Sequence, residues 1–304
     1  MKNSETSSTT IALDIGGTSI RSALVRSEGT ILFRNYVETP TKDSESFFSV
    51  IKEEVDFLKA RAKALGLGVK SVGVGFPGLI DNNGIVSSSV NLKILQKYNL
   101  QKIFEDAFGL EVAILNDANA AALGEKHYGA GRLYSNILHL TLGTGVGSGL
   151  ILNGELWSGS DGVAAEYGHI TVEPEGVICG CGNHGCLEEY ASATAVSRMM
   201  QEKTGILMTA EKVSEAARKG DTDALSVFEN VGRYLGIASA SAVNFLNLDA
   251  IIFGGGLAES FDLFEKRVVR EINERAFEIP AKRVKVLKGF LGNDAPLLGV
   301  AFFR

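Results

Sequence analysis

Apolar positions recur along this chain with two periods, and the alternation between them predicts the architecture. Three short apolar runs, at residues 10–14, 20–26 and 30–37, are separated by turns at Gly16-Gly17 and Glu28-Gly29. They read as an antiparallel meander of strands. Between residues 44 and 65, Phe47, Ile51, Val55, Leu58, Ala62 and Leu65 fall three or four apart, the spacing of one helix face. Further strands are expected at residues 69–76 and 111–115, the second running into an alanine-rich helix. Each ends in a polar loop, Gly75-Phe76-Pro77-Gly78 in one case and Asn116-Asp117 in the other. In open α/β sheets, ligands bind at that carboxyl edge.

The pattern then repeats. Residues 136–152 read as strand, glycine turn and strand, with Leu142-Gly-Thr-Gly-Val-Gly-Ser-Gly149 at the turn, echoing Asp14-Ile-Gly-Gly-Thr18. Helical stretches follow, one presenting Val231, Leu235, Ala238, Ala242 and Phe245 on a single face. A strand at 250–253 runs into Gly254-Gly255-Gly256, and a strand near 284–287 and a helix near 295–303 close the chain. The expected fold class is therefore a duplicated α/β fold. With 304 residues, 45% of them hydrophobic, the chain can bury two cores of ordinary size. The expected division is a small α/β domain over residues 1–117 and a larger one over 118–293, with a hinge near 117. The C-terminal helix, about 294–304, is expected to pack back on the first domain.

Charge narrows the partners. A net charge of −6, with the 30 Lys and Arg residues spread out, offers no basic stripe for a phosphate backbone and argues against nucleic acid. The polar N-terminus lacks the apolar core of a signal peptide, and there is no apolar run of the roughly 18 residues that a membrane helix needs. The expectation is a cytoplasmic protein with reduced thiols and no membrane partner.

The 35 glycines gather in a few loops, and those loops carry the candidate chemistry. In Asp14-Ile-Gly16-Gly17-Thr18, two residues without side chains and a hydroxyl sit at a tight turn, where backbone N–H groups can meet a phosphate at close range. Asp14 adds a hard oxygen suited to Mg²⁺. A Gly-Gly hairpin can also be only a turn. Thr144, Gly145 and Gly147 repeat the arrangement in the second half, and two such turns imply a nucleotide held across a cleft between duplicated domains. Gly254, Gly255 and Gly256 could let a flat adenosine lie on bare backbone, or could be a helix-packing turn.

All three cysteines fall in Cys179-Gly-Cys181-Gly-Asn-His-Gly-Cys186, with His169 ten residues upstream. Three thiolates and one imidazole form a complete tetrahedral ligand set for a structural Zn²⁺. His184, inside the same loop, is a competing donor. Asp117 could be the N-cap of the helix it precedes, or a general base accepting the proton of an attacking hydroxyl. Asn116 beside it can both donate and accept, which suits a sugar hydroxyl. Glu166 and Glu188 bracket the cysteine loop, either as capping or surface groups or as part of the site.

Together these residues resemble the ROK family of bacterial sugar kinases and related repressors. The resemblance spans nearly the whole chain. It rests on Asp14-Ile-Gly-Gly-Thr18, on Asn116-Asp117-Ala-Asn-Ala, and on Leu142 to Gly149 continuing through Gly162, Glu166 and Gly168-His169. The most specific segment is the Cys-x-Cys-Gly-x-x-Gly-Cys-x-Glu motif at 179–188.

The resemblance implies an actin-like ATPase (ribonuclease H-like) fold of two domains and ATP-dependent phosphorylation of a hexose at its 6-hydroxyl, with Asp117 as the base. It implies that Asn91, Asn116, Glu166, His169 and Glu188 hold the other hydroxyls, that Gly75, Pro77 and Gly78 line the sugar, and that His169 rather than His184 binds the zinc. ATP with Mg²⁺ is the implied phosphoryl donor. Glucose is the first expected substrate, with fructose, mannose, allose or an N-acetylhexosamine as alternatives. Many glucokinases carry a tryptophan shortly after the Asn-Leu pair, where this chain has Lys93-Ile-Leu-Gln. Relatives imply a homo-oligomer, a dimer first. A sugar-sensing repressor would carry a winged-helix domain ahead of the first motif, where this sequence has 13 residues. A catalytically silent sugar-binding protein is the remaining alternative.

Overall fold

The computed structural model describes residues 8–303. The opening meander forms as the turns dictate: β1 (Ser8–Ile15), β2 (Ser19–Arg26) and β3 (Ile31–Glu38) pair antiparallel. Helix α1 spans Ser44–Ala64. The Asp43 carboxylate starts it by accepting the Ser46 N–H at 2.7 Å, which satisfies an orphan donor of the first turn. Phe47, Ile51, Val55, Leu58 and Ala62 are completely buried, and burial of each of the larger side chains contributes roughly 1.5–3 kcal/mol. Leu65, expected on the same face, is instead the exposed residue that ends the helix.

The chain returns through β4 (Gly68–Phe76), the short pair β5 (Leu79–Ile80) and β6 (Val86–Ser88), and α2 (Leu100–Phe108). It continues through β7 (Glu111–Asn116) into α3 (Asp117–Tyr128). Strands β1, β4 and β7 run parallel, so the sheet order is β3-β2-β1-β4-β7.

The second half carries β8 (Ile137–Leu142), β9 (Val146–Leu152), β10 (Glu155–Leu156), α4 (Glu188–Ala191), α5 (Ala193–Thr204) and α6 (Ala210–Arg218). After these come α7 (Thr222–Leu246), β11 (Ala250–Gly254), α8 (Phe261–Arg275), α9 (Glu278–Arg283) and β12 (Lys285–Lys288). Its sheet order is β10-β9-β8-β11-β12. Two antiparallel pairings followed by two parallel ones repeat the first sheet strand for strand, so the duplication legible in the glycine turns extends to the topology.

The chain divides into two compact units. One comprises residues up to Tyr128, Ser158–Ala164 and the chain from Asn293; the other comprises Gly129–Trp157 and Ala165–Gly292. The division therefore falls after α3 rather than near residue 117. The cause is packing at bare backbone: the C-terminal helix (Ala295–Phe302) lies so close to α3 that a methyl on Gly124 would meet the Ala295 carbonyl, and one on Gly299 the Ala120 carbonyl. In the second unit, Val231, Leu235, Ala238 and Ala242 line the buried face of α7. Phe245 does not join them: it is 87% exposed, while Val243 and Leu246 are the residues of that last turn that face the core.

Gly299→Ala is expected to lower stability by at least the roughly 1–3 kcal/mol of core overpacking. A reduced urea midpoint without a change in m would show it.

Candidate active site

In the first unit the parallel register brings the carboxyl ends of β1, β4 and β7 to one edge. Asp14 stands beside Gly75, and Phe76 beside Asn116. A Cβ on Gly75 would lie 3.5 Å from Asp14 Oδ1 and 3.8 Å from Asp117 Cα, so the first glycine turn and the carboxylate at the start of α3 are near neighbours. Asn91 belongs to the same group: a Cβ on Gly17 would be 3.0 Å from the Asn91 Cβ. The Ser89 hydroxyl donates to the Pro77 carbonyl at 2.6 Å and accepts the Leu92 N–H at 3.1 Å, tying the segment before Asn91 to the Gly75–Gly78 loop. Thr18 is exposed at the tip of its turn, and the Gly16 N–H closes that turn onto the Ser19 carbonyl at 2.7 Å.

Two of these side chains are already engaged by the protein. The Asp14 carboxylate, expected as a hard oxygen for Mg²⁺, pairs with the Arg21 guanidinium at 2.5 Å. Burial pushes its carboxyl above the ordinary value, and Arg21 counters this only in part. Sequence reading missed Arg21, although the hairpin register places it directly opposite Asp14. Asn116, rather than Asp117, supplies the cap of α3. Its Oδ1 accepts the N–H of Ala118 at 2.9 Å and of Asn119 at 3.1 Å, while Nδ2 donates to the Gly78 carbonyl at 3.2 Å. Asp117 is the first residue of the helix; its Oδ1 accepts the Ala118 N–H at 2.9 Å, and the side chain is half-buried. The N-terminal end of the helix dipole lies at its backbone, which favours a negative charge there.

In the second unit the same edge carries the second turn and the glycines after β11, because β11 runs parallel to β8 with Gly254 beside Thr141. Thr144 is exposed, and Gly145 and Gly147 are half-buried. The three glycines after β11 are not equivalent. A methyl on Gly254 would press on the His139 ring, and Gly255, at φ 80°, sits tightly against the Leu142 backbone; only Gly256 borders open space. Packing thus accounts for two of the three. His139 itself is fully buried, and burial depresses its pKa to about 4.

Glu166 and His169 are presented by a constrained segment. Ala165 adopts φ 67°, a conformation uncommon for a residue with a side chain and a frequent marker of functional sites. The Ser148 hydroxyl fixes it by bonding to the Ala165 carbonyl and accepting the Tyr167 N–H at 2.9 Å. Glu166 keeps an exposed face, yet the surrounding protein raises its pKa, with His169 opposing and Glu188 reinforcing the shift. Gly168 lies directly against the Val146 carbonyl of the second turn.

His169, Cys179, Cys181 and Cys186 converge, with all ligand atoms within 4.8 Å of one another. His169 Nδ1 is 3.7 Å from Cys179 Sγ, and Cys181 Sγ is 3.6 Å from Cys186 Sγ. A tetrahedron with zinc–sulfur arms of ~2.3 Å has edges of ~3.8 Å, so the donors fit that ion. Burial, with the other two thiols, pushes Cys186 up to about 12; three adjacent thiolates need a cation to hold them ionised. His184 points elsewhere, its Nδ1 lying 3.3 Å from the Gly176 carbonyl. Glu188 opens α4 and accepts the Val146 N–H at 2.9 Å, in the space a side chain on Gly145 would take.

Two sheets of one order, each ending in a glycine turn at its parallel edge, define a duplicated α/β fold of the actin-like ATPase type. The chain belongs to the ROK family, whose model matches residues 10–303. It is 35% identical to a glucokinase of Halalkalibacterium halodurans, over 95% of this chain and 92% of that one. It is 30% identical to a xylose repressor of Bacillus spizizenii, over 96% of this chain and 75% of the repressor. The structure of a ROK family glucokinase from Streptomyces griseus in complex with glucose and AMPPNP superposes with a TM-score of 0.80 at 34% identity, covering 96% and 98% of the two chains.

The depressed His139 pKa carries a pH signature. The unfolded chain takes up this proton near pH 6.5 and the folded chain only near 4, so the contribution is intact above 6.5 and is lost as pH falls through that window, by about 3 kcal/mol. Urea unfolding of His139→Leu against the parent chain should show a shallower loss of stability between pH 6.5 and 4.

Proposed function

We propose that this chain is an ATP-dependent hexose kinase transferring the γ-phosphoryl group to a sugar 6-hydroxyl, with glucose the first substrate to test. The observation that carries the reading is the position of Asp117: at the carboxyl end of a parallel strand, at the start of a helix, and adjacent through Gly75 to the first glycine turn. A carboxylate so placed can orient the hydroxyl and accept its proton. Phosphoryl transfer passes through a loose transition state, so positioning matters more than strong basicity. Asn91, Glu166, His169 and Glu188 would hold the remaining hydroxyls. Asn116 would act mainly by fixing the start of α3 and the Gly78 carbonyl, since its amide is committed to both. Thr144, Gly145 and Gly256 would face the nucleotide. Mg²⁺ would accompany ATP, with Asp14 reaching it only if the Arg21 pair opens.

The ion in the cysteine cage would be zinc in a structural role, because four protein ligands leave no open position for water. When bound, it would hold His169 with one nitrogen on the metal and the other free for sugar. We further propose a cytoplasmic homodimer that uses neither nucleic acid nor membrane. The net charge of −6 supports the first exclusion, and none of the helices among the described residues is long and apolar enough to cross a membrane. Likeness to the xylose repressor keeps a sugar sensor as the second reading.

A coupled ADP-release assay over a hexose panel separates the two: sugar-stimulated turnover is expected, and sugar binding without turnover would favour the sensor. Asp117→Ala is expected to retain sugar binding while kcat falls by about 10²–10⁴-fold or more; normal turnover would remove Asp117 from the assignment. Elemental analysis should find one zinc per chain, and Cys181→Ala or exhaustive chelation should abolish that zinc and weaken sugar affinity as the wall around His169 loosens.

A further inference from the structure

The residues just past the cysteine loop hold the second glycine turn in place. The Ala193 N–H donates to the Gly143 carbonyl at 2.8 Å, and the Thr194 hydroxyl donates to the Thr144 carbonyl at 2.7 Å. On the far side of the turn Glu188 accepts the Val146 N–H, and the Gly143 N–H closes onto the Gly145 carbonyl at 2.9 Å. Both Thr144 and Thr194 are exposed. Water could therefore satisfy each group separately, and burial does not require the bond between them.

The bond sets orientation. A trans peptide is planar, with its carbonyl and N–H pointing in opposite directions. Two carbonyls drawn toward the start of α5 therefore turn the N–H groups of Thr144 and Gly145 the other way, as successive donors of the kind that cradles phosphate. We propose that Thr194 is a positioning residue for the phosphoryl donor, fixing the Thr144–Gly145 peptide so that its N–H meets the phosphate chain of the nucleotide. This rests on reading the second turn as the nucleotide turn. It adds a residue that no motif marks, and it joins that turn to the segment that follows the metal loop.

Thr194→Val keeps the shape of the side chain and removes the hydroxyl. Calorimetric titration with AMPPNP and Mg²⁺ should give roughly fivefold weaker binding, the effect of one ordinary hydrogen bond. The KM for ATP should rise while the sugar KM and the unfolding midpoint stay fixed, and Thr194→Ser should restore parental affinity. Unchanged AMPPNP affinity in Thr194→Val overturns the proposal. So does a parallel loss of the unfolding midpoint, which would make Thr194 a structural residue.

Gly143→Val tests the underlying reading, because a Cβ there meets no neighbour within 4 Å. If it abolishes AMPPNP binding while Thr194→Val changes nothing, the turn is the nucleotide site and Thr194 does not aim it. If neither variant alters binding, the turn is not the nucleotide site and both ideas fall.

Discussion

Parallel strand register is the constraint on which the rest of this structure depends. Strands that run the same way must end at the same edge, and each sheet here has three: β1, β4 and β7 in one, β8, β11 and β12 in the other. Because Asp14 pairs with Gly75 and Phe76 with Asn116, residues a hundred positions apart in sequence arrive together at one edge, over a core to which all three strands contribute. The backbone ladder sets the edge, and side chains such as Ser89 and Asn116 then tie the loops to it. A one-residue slip of β7 would take Asn116 off Phe76 and turn its side chain to the other face of the sheet.

Much of this was legible in the sequence because it is local. The periodicity of α1, the hairpin turns and the repeated glycine motif are short-range signals, and the structure follows them closely. Helix α2 was legible too but unread. Asn99 caps it by accepting the Lys102 N–H at 2.9 Å, Leu100, Phe104 and Phe108 form its buried face, and Gly109 ends it in the left-handed conformation. The division of the chain was not legible, because it depends on how closely α3 meets a helix some 170 residues later. Only the glycines at 124 and 299 hint at that approach, and a glycine in a helix does not say what it meets. The clamp on the second turn is hidden for the same reason: Thr144 and Thr194 are 50 positions apart and no pattern links them.

Among the candidate polar residues, the structure separates those that hold the protein from those that face outward. Asn116 spends its acceptor on two helix N–H groups and its donor on Gly78. Asp14 is charge-paired with Arg21. Glu188 is bound through one oxygen to the second turn. Sequence motifs record residue identity, and identity is constrained equally by a ligand and by a neighbouring peptide group. A buried or half-buried polar group without a partner costs about 1–3 kcal/mol, so such residues are fixed by folding even before any ligand is considered.

The three glycines after β11 sharpen that argument. Read as a motif, they offer three bare contact points for a nucleotide base. In the fold, Gly254 is bare because the imidazole of His139 fills the space beside it, and Gly255 because it takes a positive φ against the Leu142 backbone. The imidazole Nε2 has no hydrogen-bond partner among the described residues, so a buried neutral ring is tolerated there at some cost. That cost is consistent with a tightly packed floor beneath the turn, since a smaller residue at 139 would leave a cavity where the two parallel strands end. Gly256 alone is left facing open space, and the flatness of this edge comes from packing below it as much as from the absence of side chains above.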